Sequence, residues 1–155
     1  MDYRRVEDGR EYVARLEHGR DWRGQIEAFA ETEAIDAAFF FGLGAVQDAT
    51  LSFYDQDDQV YESVSFAEPF EVTAAVGNVS HLESEGRSRS EGLTESDGGE
   101  RFAHTHVTLT REDGSAIGGH LDEATTFAGE LYVRAFEDRL DRTHDETTDL
   151  DLWPL

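Results

Sequence analysis

The chain has 155 residues, enough for one domain that buries its own core, and 35 acidic residues against 13 basic ones give a formal net charge of −22. It contains no cysteine, which excludes disulfides and thiol chemistry, and all 13 basic residues are arginine. This composition is typical of proteins from a salt-saturated cytoplasm, where a short screening length removes self-repulsion, so we expect a haloarchaeal source.

The acidity also bears on possible partners. No basic patch is visible in the sequence, which argues against nucleic acid and anionic membranes, although haloadapted nucleic-acid binders are acidic overall as well. No apolar run approaches 18 residues and no signal peptide opens the chain. We therefore expect a soluble, cytoplasmic protein without a membrane partner.

The first half of the chain predicts one helix among strands. Residues 11–16 alternate as a first strand, and Asp21 is suited to cap a helix that runs to about Ala34 with apolar residues at helical spacing. Residues 35–41 are apolar enough for a central strand. The glycine-rich residues 42–45 then predict a tight turn or bulge, because no Gly-Lys-Ser/Thr follows to make a phosphate loop. Further strands are predicted over residues 46–55, 60–66, 70–79, 102–110, 116–121 and 125–136.

These elements predict an α+β fold: a mainly antiparallel sheet of six to eight strands wrapping one main helix, in a single domain over residues 1–137. Residues 82–100 are rich in Ser, Gly and Glu and predict a flexible acidic loop. Residues 138–155 form an acidic tail whose Leu150, Leu152 and Trp153 are able to fold back onto the domain. One helix cannot cover both faces of so large a sheet, so we expect oligomerisation to bury the other face.

Three of the six histidines are candidates for a metal site. His104 and His106 alternate along one predicted strand and therefore share a face, and a turn at Asp113-Gly114 brings His120 alongside them. Three neutral imidazoles suit zinc or another divalent metal and leave a fourth position open. The alternative is three ordinary hydrogen-bonded histidines. The side-chain-free pair before His120, Gly118-Gly119, allows a ligand or a neighbouring backbone to approach closely.

Four segments together resemble the PPC ("plants and prokaryotes") domain, which accompanies AT-hooks in plant nuclear proteins. They are GLGAVQDATLSFYD, EPFEVTAAVGNVS, FAHTHVTLTREDGSAIGGHL and GELYVRAF, and the resemblance extends over about residues 12–136. It implies a sheet wrapped around one helix, a homotrimer, and a metal, zinc above all, bound by His104, His106 and His120 as in some prokaryotic relatives. It also implies that the segment containing Phe70 and Glu71 contributes to association and partner binding.

The chain departs from the plant members in two respects. It has no Arg-Gly-Arg-Pro, so the AT-hook is missing and DNA binding is implied by the family label alone. The loop of residues 82–100 is also longer and more polar than is usual for the family before the histidine strand.

Two functions compete. The favoured one is a trimeric, metal-binding, regulatory domain without catalysis that acts through a protein partner or DNA. The other is a zinc-dependent, hydrolase-like enzyme with an open three-histidine site, which needs a general base nearby. The candidates for that base or for an oxyanion stabiliser are Glu71, Asn78, His81 and Glu130, and the sequence positions none of them beside the histidines. A cupin also has His-x-His on a strand, but its glutamate normally follows four or five residues later, whereas Glu112 follows His106 by six residues. The second cupin motif is absent as well, so this class of protein is set aside.

Overall fold

The computed structural model describes residues 8–82 and 100–154, which form one helix and ten strands. The predicted loop of residues 82–100 lies almost wholly outside the described residues. The elements are β1 (Asp8–Leu16), α1 (Trp22–Thr32), β2 (Ala38–Val46), β3 (Ala49–Asp55), β4 (Val60–Phe66), β5 (Phe70–Leu82), β6 (Glu100–Thr110), β7 (Ala116–Glu123), β8 (Thr126–Phe136), β9 (Asp141–Asp145) and β10 (Leu150–Leu152).

The strands form one mainly antiparallel sheet in the order β1-β8-β2-β5-β6-β7-β3-β4, which confirms the predicted α+β class. The sheet has ten strands rather than six to eight because the C-terminal tail contributes two of them. Strand β9 pairs in parallel with the end of β5, and β10 pairs back onto β9. We call β9 and β10 together the C-terminal hairpin. Its predicted return to the body is observed, since the rings of Trp153 and Phe39 lie 5.8 Å apart.

Strand β2 corrects the prediction of a break after Phe41. The strand continues through the glycines to Val46, and the chain turns only at residues 47–48. The predicted bulge is present, as a register shift between Gly42 and Gly44 in the pairing with β5. Gly44 has a φ of 153°, and a Cβ there would collide with the Ala128 carbonyl of β8. The glycines thus allow close strand packing and do not end the strand.

Helix α1 begins and ends almost where the sequence predicts. Asp21 caps it by accepting a 2.6 Å hydrogen bond from the Gly24 amide, and the helix ends at Thr32, two residues before Ala34. Its buried face consists of Trp22, Ile26 and Ala30. Among the residues that the structure describes, no helix has the length and apolar character needed to cross a bilayer.

The sheet therefore has two faces of different character. The inner face packs against α1 and carries core residues such as Phe40, which is fully buried. On the opposite or outer face, one row of paired residues crosses six strands. It consists of Val13, Tyr132, Phe41, Val76, His106 and His120. The apolar members of this row are exposed, Val13 by 87% and Phe41 by 56%, so the histidines adjoin an uncovered apolar surface.

Candidate metal centre

The hairpin of β6 and β7 brings the three predicted histidines together. His106 and His120 are direct partners across the two strands, and His104 precedes His106 by two residues on the same face. One ring nitrogen from each histidine lies within 4.8 Å of the other two. The predicted turn holds this register: Gly114 has a φ of 82°, and the Asp113 carboxylate accepts a 2.8 Å hydrogen bond from the Ser115 amide.

Gly118, which lies within β7, has a structural role in the hairpin of β6 and β7. A Cβ on Gly118 would lie 2.6 Å from the Val107 carbonyl oxygen, so β6 and β7 reach their observed separation only without a side chain there. A neighbouring backbone also approaches Gly119, where a Cβ would lie 3.0 Å from the Ser52 carbonyl oxygen.

The distances within the cluster fit a single divalent ion. Two nitrogens about 2.0–2.1 Å from a tetrahedral zinc ion lie about 3.3–3.4 Å apart. The Nε2 atoms of His104 and His106 are 3.2 Å apart. In addition, the buried Nδ1 of His120 has no hydrogen-bond partner among the described residues. The donor set and its spacing therefore suit zinc or a similar ion, although the same Nε2 pair also has the length of a hydrogen bond.

The electrostatic environment keeps two of the rings neutral. Burial, and after it the positive charge of Arg142, lower the pKa of His104 to about 3. Burial likewise lowers the pKa of His120 to about 4, against the opposing effect of the Asp122 carboxylate. At neutral pH both imidazoles are unprotonated, which is the state that binds a metal.

An arginine of the C-terminal hairpin, which the sequence did not identify, contacts the cluster. Arg142 is 7% exposed, and its Nη2 donates to His104 Nδ1 at 3.1 Å and to Asn78 Oδ1 at 2.9 Å. Its Nε donates to Ser80 Oγ at 2.8 Å and its Nη1 to the Asp151 carbonyl at 2.8 Å. No local pattern predicts these contacts, because they depend on the parallel pairing of β9 with β5.

A second residue that the sequence reasoning missed is Asp122. Its Oδ1 lies 3.9 Å from His120 Nε2, while its Oδ2 accepts hydrogen bonds from Ser52 and, at 3.3 Å, from Ser63. Asp122 follows His120 by two residues on a strand, so alternation alone could have identified it. Aromatic rings of Tyr61 and Phe102 lie 5.7 and 6.3 Å from that of His120 and border the site.

Of the four residues proposed to assist catalysis, only Asn78 lies beside the histidines, directly opposite His104 on β5. Glu130 is on β8, which β2 and β5 separate from the histidine strand. His81 is 3% exposed and forms a 2.9 Å hydrogen bond with Asp36 away from the cluster. Glu71 pairs with Thr110, at the far end of β6 from His104.

The two residues predicted to contact a partner differ in accessibility. Phe70 is 3% exposed and packs in the core, with its ring 5.9 Å from that of Phe66. Glu71 is exposed. Within a single chain, only Glu71 of this pair therefore offers its side chain to a partner, and its role stays a prediction.

The fold and the site together define an α+β domain in which an antiparallel sheet covers one helix and carries a three-histidine cluster on its outer face. The chain belongs to the Plants and Prokaryotes Conserved (PCC) domain family, also abbreviated PPC, whose model matches residues 3–137. This confirms the resemblance found in the sequence. The C-terminal hairpin lies beyond the matched region.

Several solved structures are similar over nearly the whole chain. The metal-containing protein of Archaeoglobus fulgidus is 34% identical, with a TM-score of 0.84 and 99% of each chain covered. A plant- and prokaryote-conserved protein of Pyrococcus horikoshii is 25% identical, with a TM-score of 0.84 and coverage of 100% of this chain and 98% of that one. A protein of Ralstonia eutropha called a putative DNA-binding protein is 26% identical, with a TM-score of 0.78 and coverage of 93% and 90%. A comparison with curated proteins found no match.

Proposed function

We propose that this chain is a cytoplasmic, homotrimeric metal-binding protein in which His104, His106 and His120 hold one divalent ion. The observation that carries the proposal is the convergence of one ring nitrogen from each histidine within 4.8 Å. The 34% identical protein of A. fulgidus, called metal-containing, supports it. Zinc is the ion we favour, because three neutral imidazoles with an open fourth position are typical of zinc sites.

The bound ion has two roles in this proposal. It joins β6 to β7 through ligands from both strands, and so stabilises the hairpin that carries them. His106 is exposed on the outer side of the sheet, so an ion held there would be accessible to a ligand from solvent. The domain is then regulatory: metal and ligand at this position alter the surface that a partner contacts.

The outer face supports assembly into a homotrimer, which the family resemblance implies. We call the exposed side chains of Val13, Phe41, Leu43, Val76 and Tyr132 the apolar patch; they are 39–87% exposed. Most of them line a shallow depression of about 640 Å³. A contiguous apolar surface of this kind on a chain with a net charge of −22 is typical of an interface, because the rest of the surface repels other copies.

A protein is a better candidate for the external partner than DNA. DNA is considered because the family resemblance implies it and because the R. eutropha protein is called a putative DNA-binding protein. The phosphate backbone requires a cluster of uncompensated basic side chains, whereas this chain has 35 acidic residues and 13 arginines. The exposed Glu71 remains the proposed partner contact on β5.

Asp122 favours a second candidate function, a zinc-dependent, hydrolase-like enzyme. A divalent ion in this site would supply Lewis-acid chemistry. The Asp122 carboxylate, held by two serine hydroxyls and 3.9 Å from His120, is suited to accept a proton from a ligand there. Hydrolysis of an activated ester that is lost in Asp122→Asn, with metal content unchanged, would favour this candidate over the first.

The first experiment is metal analysis of the purified protein together with its mass from light scattering in molar salt. We expect about one zinc per chain in a particle of three chains. A metal-free protein that also fails to take up added zinc would refute the metal site, and a monomer would refute the assembly. The two parts of the proposal are therefore tested separately.

A further inference from the structure

The hydrogen bond between Arg142 and His104 fixes which nitrogen of His104 carries the proton. Arginine is always a donor, so His104 Nδ1 must accept the 3.1 Å hydrogen bond from Arg142 Nη2. A neutral imidazole has one N–H, and in His104 it is therefore on Nε2. This N–H points to His106 Nε2, which lies 3.2 Å away. The two rings are joined by a hydrogen bond through the atoms that would hold the metal.

This arrangement conflicts with metal binding. A metal on His104 Nε2 needs the lone pair of that nitrogen, which moves the proton to Nδ1, where it requires an acceptor. Arg142 presents a donor to the same Nδ1, so two N–H groups would face each other. The guanidinium charge also repels a divalent cation beside it. Both effects act in the same direction.

We propose that Arg142 opposes metal binding at the histidine cluster. All three histidines bind the ion only when the hydrogen bond between Arg142 and His104 is broken. This regulation rests on the proposed function, because it concerns the same metal site. Asn78 supplies the alternative acceptor. Its Oδ1 accepts from Arg142 Nη2 at 2.9 Å, and Asn78 is the cross-strand partner of His104. Once Arg142 withdraws, Asn78 Oδ1 is available to accept from His104 Nδ1–H.

The same contact links the metal site to the C-terminal hairpin. Arg142 Nη1 donates to the Asp151 carbonyl of β10, and the Trp153 ring lies 5.5 Å from the guanidinium carbon. Displacing Arg142 from His104 therefore changes the packing of the hairpin on the outer face. By linkage, an agent that draws the hairpin away from the sheet raises the affinity for the ion, and the bound ion raises the affinity for that agent by the same factor.

Zinc titration by calorimetry in molar salt, with metal-free protein, tests the proposal. We expect Arg142→Met to bind zinc about 10- to 100-fold more tightly than the wild type, whereas loss of an ordinary supporting residue weakens binding by a similar factor. Arg139→Met is the matched control: it removes the same charge from the same segment, where Arg139 pairs with Asp141 at 2.7 Å. Equal or weaker zinc binding by Arg142→Met would overturn the inference but leave the metal site intact.

A second measurement needs neither a variant nor a metal, and so covers the case in which Arg142→Met does not fold. Long-range ¹⁵N–¹H correlation spectra of the metal-free wild type report the tautomer of each histidine ring. We expect His104 to carry its proton on Nε2. A proton on Nδ1 would refute the role of Arg142. If neither the wild type nor the variant binds zinc, the proposed metal site and this inference fail together.

Discussion

His106→Ala is the substitution that tests the metal site most cleanly. The imidazole of His106 is exposed, so its removal leaves no buried hole, and exposed substitutions usually change stability by no more than about 0.5 kcal/mol. His104 is less suitable because its ring accepts a hydrogen bond from Arg142, which the substitution would also remove. The variant leaves two histidines in the cluster, fewer than the three protein ligands that zinc sites commonly have. We therefore expect it to lose zinc while keeping the metal-free fold.

The expected effect on thermal stability follows from linkage. Free zinc at 100 times its dissociation constant stabilises the folded wild type by about 2.7 kcal/mol. For a chain of 155 residues, each kcal/mol raises the melting temperature by about 2–4 °C. Zinc should therefore raise the wild-type melting temperature by about 5–11 °C and leave that of His106→Ala unchanged within about 1 °C.

The assay is differential scanning calorimetry at fixed protein and salt concentrations, with and without zinc, accompanied by metal analysis. The controls are His18→Ala and His144→Ala. The His18 ring forms a 2.9 Å hydrogen bond with the Phe127 carbonyl, and His144 is on the exposed side of the C-terminal hairpin. Both controls should keep the full zinc-dependent shift. A His106→Ala protein with full metal content and a full shift would refute the assignment of the ligands.

Three further changes test assembly, salt adaptation and the helix cap. Phe41→Asp places a charge in the apolar patch and should convert the proposed trimer into monomers in light scattering. Val60→Asp, at a 50% exposed position on β4, should leave the assembly unchanged, and a trimeric Phe41→Asp protein would exclude this face as the interface. Lowering the salt from about 1 M to 0.1 M lengthens the screening distance from about 3 to 10 Å. The acidic side chains then repel one another more strongly, so the melting temperature should fall. A melting temperature that does not depend on salt would contradict the haloadapted interpretation. Asp21→Ala removes the carboxylate that accepts from the Gly24 and Ala124 amides, and it should lower the free energy of unfolding by about 1–2 kcal/mol in denaturant titrations. Asp21→Asn should lower it less. Equal stability of the wild type and both variants would show that the cap is unimportant.

Local chemistry explains what the sequence predicted well. The Asp21 cap, the Asp113-Gly114 turn and the alternation of His104 and His106 each depend on residues within a few positions of one another. Their geometry is therefore encoded in short segments. The histidine cluster was predictable because a tight hairpin fixes its register, so that three ligands on two strands follow from one turn.

The errors have a different origin, in contacts between distant parts of the chain. The glycines of β2 predicted the end of a strand. In the structure, Gly44 instead leaves room for the backbone of β8, which is more than 80 residues away in the chain. Arg142 reaches His104 only because β9 pairs in parallel with β5, and an acidic tail with few apolar residues gives no local sign of that pairing. Asp122 is the exception, since its position two residues after His120 was sufficient to place it on the same face.

The row of residues that crosses the outer face has a kinetic consequence. Val76 of the apolar patch is the direct cross-strand partner of His106, and neighbouring strands lie about 4.8 Å apart. In the proposed trimer, a subunit that covers Val76 would therefore also limit diffusion to the adjoining histidine. The rate at which a bound ion exchanges with the solvent should then depend on protein concentration, with slow release from the assembled particle and fast release after a subunit dissociates.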